Sequence, residues 1–205
     1  MNIKSLCVAV ATICAIGMAS SAHASVMTTV LSATTPVAIP DFSTSPGIAT
    51  STLNFTSHAS VINIDALMNI THTYDADLII SLSHAGTTVI LSSRNGGSGG
   101  QNYTDTVFDD AASVAINAGT AYAPYTGAFA PQQALSAFAA QDAFGLWTLT
   151  VSDNEGGDTG TLNSFGIKVT STDPVIAPPA AVPEPGSFAL LGLGLLGFTA
   201  ARRRK

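Results

Sequence analysis

Between residues 60 and 71 apolar and polar side chains take turns. Ile62, Ile64, Ala66, Met68 and Ile70 share one parity, and Asn63, Asp65, Asn69 and Thr71 the other. Successive side chains of a strand point to opposite faces, so this alternation predicts a half-buried strand with the isoleucines inward. Leu78, Ile80 and Leu82 repeat the period, as do Thr87, Val89 and Leu91, and Ser83-His84-Ala85-Gly86 between them predicts the turn of a hairpin. Further along, Trp147, Leu149 and Val151 alternate with Thr148, Thr150 and Ser152, and Phe165, Ile167 and Val169 with Gly166, Lys168 and Thr170. The loop Asp153-Asn154-Glu155-Gly156-Gly157-Asp158-Thr159-Gly160 between them is built of turn formers. The one helical candidate is short, around Ala134 to Ala140, and no internal repeat is evident. Short strands at regular spacing predict an all-β sandwich of about eight strands.

The ends of the chain follow other patterns. Residues 1–24 read as a signal peptide: Lys4, an apolar run from Leu6 to Met18, then Ala22-His23-Ala24 with small residues at Ala22 and Ala24 for signal peptidase. A first membrane helix is the alternative, and the run of roughly 13 apolar residues falls short of the roughly 20 it needs. Residues 25–38 read as a linker and 39–171 as the domain. The Pro-rich stretch 172–182 then leads to a C-terminal segment, 183–205.

Composition narrows the function classes. The 205 residues are 46% hydrophobic and 10% charged, too apolar for intrinsic disorder. Thirteen acids against seven bases give a formal charge of −6, the wrong sign for a nucleic-acid binder. Both cysteines, Cys7 and Cys14, fall within the signal segment. Between residues 25 and 182 lie 12 acids and 2 bases, Arg94 and Lys168, a formal charge of −10. The expected mature protein is therefore an acidic, thiol-free β domain.

The C-terminal segment has three parts: the motif Val182-Pro183-Glu184-Pro185-Gly186 (its Pro-Glu-Pro core within 183–187), an apolar run at 188–201, and a basic tail, Arg202-Arg203-Arg204-Lys205. As a helix the run spans roughly 21 Å against a hydrocarbon core of roughly 30 Å, so it anchors marginally. The basic cluster stays cytoplasmic, leaving the Pro-Glu-Pro segment and the domain outside. This ending resembles the PEP-CTERM sorting signal of Gram-negative bacteria. The resemblance implies export, transient anchoring in the inner membrane, cleavage near Pro183 to Pro185 by an exosortase-type membrane protease, and release to the cell surface or an exopolysaccharide matrix. A permanent membrane anchor is the simpler alternative.

Residues 39–171 in turn resemble the P domain, or P/Homo B domain, of kexin- and furin-type subtilisin-like proteases. The matching stretches are Ile39-Pro40-Asp41, Ile70-Thr71-His72-Thr73-Tyr74 into Asp77-Leu78, Gly86-Thr87, Phe108-Asp109-Asp110, Leu135-Ser136-Ala137-Phe138, Gly145-Leu146-Trp147-Thr148-Leu149, Val151-Ser152-Asp153 and Gly157-Asp158-Thr159-Gly160-Thr161-Leu162. The resemblance implies a galactose-binding-like jelly-roll β-sandwich. The chain departs from the pattern at three places. Asp75-Ala76 replaces a basic residue and glycine, Ala134 a common proline, and Phe165 a tryptophan.

No catalytic residue is expected. A subtilisin-type catalytic domain needs roughly 250 to 300 residues, more than one β domain of this length leaves room for. Gly96-Gly97-Ser98-Gly99-Gly100 fits G-x-S-x-G, but its flanks offer no helix for a nucleophile elbow. His58, His72 and His84 show no triad or zinc spacing, and His72 is expected to bond a neighbouring loop. The acids are the remaining chemistry. Asp77, Asp109, Asp110, Asp153 and Asp158 fall in predicted loops, where their oxygens can either cap turns or hold a weak structural calcium ion. No cofactor is required.

These readings make the protein an exported non-catalytic module acting by binding or structure. An accessory to a separate subtilisin-like serine protease is the alternative, and a glycan-binding module a weaker one, resting on fold analogy alone.

Overall fold

The computed structural model describes residues 25–43, 45–119 and 122–172. Ten strands are described: β1 (Val26–Ala33), β2 (Val37–Ile39), β3 (Gly47–Phe55), β4 (Ser60–His72), β5 (Leu78–His84), β6 (Thr87–Ser93), β7 (Tyr103–Phe108), β8 (Tyr125–Phe129), β9 (Gly145–Asp153) and β10 (Gly160–Thr172). They form two sheets. The larger runs β1-β10-β4-β7-β8 with β2 also paired to β10, and the smaller runs β3-β9-β5-β6. Pairing is antiparallel except between β7 and β8. The inward faces of both sheets merge into one buried cluster, the arrangement of an all-β sandwich.

The alternating segments form strands as their period demands, and two details differ from the expectation. In β4 the pairing slips, so that Thr170 faces Asn63 while the next residue, Ser171, faces Val61. The skipped Ile62 bulges outward and is 48% exposed, while Val61 turns into the core. A one-residue slip reverses the faces, so the parity that puts Ile64 to Ile70 inside does not extend to Ile62. In the hairpin, Ser83 and His84 extend β5. The turn proper is Ala85-Gly86, both at positive φ (46° and 84°), as a two-residue hairpin turn requires.

Residues 25–38 are a correction. They were expected to be a linker, and they carry β1 and most of β2 instead. Eight residues of β1 pair in register with β10, from Val26 against Thr172 to Ala33 against Phe165. The segment is short of charge and rich in β-branched residues, which suits an edge strand. The region around Ala134 to Ala140 contains a 3-10 turn over Leu135–Phe138. Among the described residues no helix is long and apolar enough to cross a membrane. The signal segment 1–24, the run 188–201 and the basic tail 202–205 lie outside the described residues.

Trp147 on β9 is the largest core side chain and is fully buried. Its indole lies flat on His84 at 3.9 Å between centroids, meets Phe138 edge-on at 5.0 Å and donates its N–H to Ala143 O at 3.0 Å. The packing gives the aromatic a defined orientation and satisfies its one polar group.

Candidate functional site

Local chemistry first brings the acids together at one end of the sandwich. β4 ends at His72, and the chain turns through Thr73 and Tyr74 into a 3-10 turn, Asp75–Asp77, before entering β5. β9 ends at Asp153 beside this turn, because Leu78 of β5 pairs with Asp153. The loop from Asn154 to Thr159 then returns to β10, where Gly160 pairs with His72. A Cβ at Gly160 would stand 2.4 Å from Thr71 O and 2.5 Å from His72 Cδ2, so this approach needs glycine.

The buried centre of this corner is polar. His72 Nε2 lies 3.3 Å from Asp153 Oδ2 with both side chains at 0% exposure, and His72 Nδ1 sits at the Tyr74 backbone. The expected bond from His72 to a neighbouring loop is thus present. Asp75 is fully buried, and its Oδ1 accepts the Asn102 N–H at 2.9 Å while its Oδ2 has no partner. Burial pushes the Asp75 carboxyl up to about 7, against the opposing pull of the Asn102 N–H and His72. Asp77 is 5% exposed and its carboxylate accepts no hydrogen bond among the described residues. Its pKa is also raised, by burial first and then by Asp153 and Asp158, with Glu155 adding to them and His72 opposing.

The rim is tied down around this centre. Thr73 Oγ1 donates to Asp158 Oδ1 at 2.6 Å, Gly157 N–H donates to both Asp41 oxygens at 3.0 and 3.1 Å, and Arg94 pairs with Glu155 at 2.7 Å. Asn154 donates its backbone N–H and side-chain amide to Asp77 O, binding the 3-10 turn to the loop.

Asp77, Asp153 and Asp158 are therefore neighbours, and Asp109 and Asp110 belong elsewhere. Asp109 Oδ1 accepts Ala111 N–H, and the two Asp110 oxygens accept the N–H groups of Leu135 and Ser136, each at 2.8 Å. Asp109 caps its own turn, whereas Asp110 holds the first N–H groups of the 3-10 turn over Leu135–Phe138, far along the chain. Among the described residues no group of three His, Cys, Asp or Glu side chains already stands as a metal site. Asp75 was legible as a departure from the P-domain pattern, but nothing in the sequence marked it as buried.

Ser98 lies in the loop between β6 and β7, where Gly96, Gly97 and Gly99 take positive φ, and the chain passes from there into a strand. That is a glycine-rich turn between two strands and not the strand-to-helix elbow of a serine nucleophile. A concavity of about 560 Å³ opens between β1 and the end of β3 and is lined by Met27, Leu31, Phe55 and His58, among others. His58 is stacked on Phe144 at 4.2 Å and paired with Asp142 at its rim. The sorting residues Val182 to Gly186 and the cleavage residues Ala22 and Ala24 lie outside the described residues.

The fold is a two-sheet all-β sandwich, and comparison with known families agrees with it. The chain belongs to the proprotein convertase P-domain family, whose model matches residues 61–169. The P domain is a non-catalytic accessory domain. The PEP-CTERM protein-sorting motif matches residues 181–205 and marks an exported, membrane-processed protein. No curated protein matches the chain. Among solved structures it is similar to the serine protease of Aeromonas sobria in complex with the chaperone ORF2. The identity is 18% and the TM-score 0.46 over 73% of this chain and 28% of that one. The same protease without the chaperone gives 18% and 0.46 over 72% and 27%. A structure of infectious bursal disease virus, Gx strain, gives 13% and 0.34 over 76% and 33%. The chain thus spans less than a third of the length of the protease chains it matches.

Proposed function

We propose that the protein is a non-catalytic P-domain module deposited at the cell surface or in an exopolysaccharide matrix, where it acts by binding or as structure. The observation that supports this reading is the coupling of a P domain to a PEP-CTERM motif in one chain. Signal peptidase acts at Ala24, the apolar run holds the chain transiently in the inner membrane, and an exosortase-type protease cuts near Pro183 to Pro185. The sandwich is read as a galactose-binding-like jelly roll. Mass spectrometry of the protein from the surface fraction tests the processing. A mature N-terminus at Ser25 and a C-terminus between Val182 and Glu184 are expected, and an intact Lys205 would make it a permanently anchored protein.

A second reading is that the module serves a separate subtilisin-like protease, and the family match is what favours it. Purification of the tagged protein from its own cells separates the two. A stoichiometric protease in the eluate supports the accessory role, and its absence leaves the free-standing module. The purified protein alone is expected neither to hydrolyse casein nor to react with a fluorophosphonate; either result would overturn the non-catalytic reading.

A further inference from the structure

We propose that β1 is an interface to a second copy of this chain, the two β1 strands pairing antiparallel across a two-fold axis so that the larger sheets of both copies join into one. β1 is the outermost strand of its sheet, and the backbone groups on its free side make no hydrogen bond among the described residues. Such a row of N–H and C=O groups is a template for another strand, and folded chains normally blunt it with charge, proline or a bulge. Val26–Ala33 has none of these: it carries no charge and no proline, and it pairs with β10 without a register shift. The edge of the smaller sheet at β6 is sealed instead. Gln132 and Gln133 lie along it, donating their backbone N–H groups to Leu91 O and Ile90 O, while their side-chain oxygens accept the N–H groups of Ser93 and Ile90.

Charge and side-chain parity select a copy of the same chain as the partner. With 12 acids against 2 bases between residues 25 and 182, copies repel one another over most of their surface. β1 is neutral, and the lysine opposite Val30 on β10, Lys168, is already paired with Asp65. Asp41, Asp77, Asp153, Glu155 and Asp158 gather instead where β9 ends and β10 begins, whereas β1 lies along the other half of β10, from Phe165 to Thr172. Met27, Thr29 and Leu31 line the cleft between the sheets, and Val30 and Ser32 lie on the opposite face. A joined sheet keeps each face on its own side, so residues of like parity meet. With Thr29 on the axis, Met27 meets Leu31 of the second copy at the mouth of the cleft, and Thr28 meets its Val30 on the outer face. Apolar and β-branched pairs of this kind stabilise antiparallel strands, and the pairing covers Val26, Met27 and Val30, all exposed in the single chain. A strand edge that matches itself about a two-fold gives a closed dimer and not a filament.

The test is self-crosslinking of the purified full chain, with Cys7 and Cys14 replaced by serine so that an introduced cysteine is the one thiol present. A residue on the axis faces its own copy at about 4.5–5.5 Å between Cα atoms, within reach of a disulfide. Thr29→Cys is expected to run at twice the monomer mass on non-reducing electrophoresis after mild oxidation. Val30→Cys does so in its place if the axis falls one residue on, the neighbouring register that parity allows. Thr52→Cys, on the unsealed edge strand β3 of the smaller sheet, should stay monomeric. Adding Val30→Lys to Thr29→Cys sets two like charges across the axis and should cut the crosslinked fraction about fivefold, whereas Ile48→Lys on β3 should leave it unchanged. Sedimentation of chains without any introduced cysteine gives an independent measure: the mass should rise with concentration in the wild type and less so in Val30→Lys. Failure of both Thr29→Cys and Val30→Cys to crosslink, a Thr52→Cys crosslink of equal yield, or a Val30→Lys chain that sediments like the wild type overturns the interface without touching the export reading.

Discussion

His72 and Asp153, 81 residues apart in the chain, meet at 3.3 Å with both side chains shielded from solvent. Removing one member leaves the other's polar group buried without its partner, which costs about 1–3 kcal/mol. His72→Leu should therefore lose stability of that order in urea unfolding. The comparison is Lys168→Leu, which removes a half-exposed lysine from Asp65 and should cost about 0–1 kcal/mol. Equal costs for the two variants would mean that the buried pair has no special weight.

Asp75 makes stability depend on pH. Its carboxyl is raised from the model-compound value of 3.8 to about 7 in the folded chain, so the native state holds a proton that the unfolded state has released. Stability from this group is fully present below about pH 4, declines as pH rises, and is lost above about pH 7. Asp75→Asn keeps an acceptor for the Asn102 N–H, carries no charge, and offers an amide donor where Oδ2 and the buried Tyr125 hydroxyl have no partner. The variant should gain about 1–3 kcal/mol over wild type at pH 8 and little at pH 4. A difference that stays constant from pH 4 to pH 8 would contradict the assignment.

Gly160→Ala should disturb the same corner by crowding. The new Cβ would collide with Thr71 O and the His72 ring, and overpacking of this kind typically costs about 1–3 kcal/mol. Gly156→Ala is the control, since its nearest neighbour, Phe42 O, would be 3.6 Å away. Guanidinium unfolding of the two variants should separate them clearly.

Deletion of residues 25–33 tests whether β1 belongs to the domain. Without it the outer edge of β10 is unpaired from Phe165 to Thr172, and Leu31, packed against the core, is lost. The truncated chain should unfold at a lower temperature and scatter more light on concentration, as an exposed sheet edge invites association. Unchanged melting and solubility would restore the segment to linker status.

Much of the sandwich was legible because a strand with one buried face writes its own period: Trp147, Leu149 and Val151 in β9, Leu78, Ile80 and Leu82 in β5. β1 was not, since an edge strand with Val26 and Val30 largely exposed shows no contrast between its faces. The Ile62 bulge was not, since a register slip is negotiated between two strands and leaves no mark on either alone. Asp109 and Asp110 looked like Asp77 and Asp153 in sequence, because loop acids that cap turns and loop acids that gather in a corner have the same local surroundings.

The sequence by itself determined the strand periodicity, the acidic and cysteine-free middle, the P-domain pattern and the sorting motif, because each is carried by neighbouring residues or by composition. The tertiary structure decided which acids meet. Asp77 and Asp153 become neighbours only through the pairing of β5 with β9, and Gly160 lets β10 close on His72. Burial and mutual repulsion there depend on distances through space, which spacing along the chain does not encode.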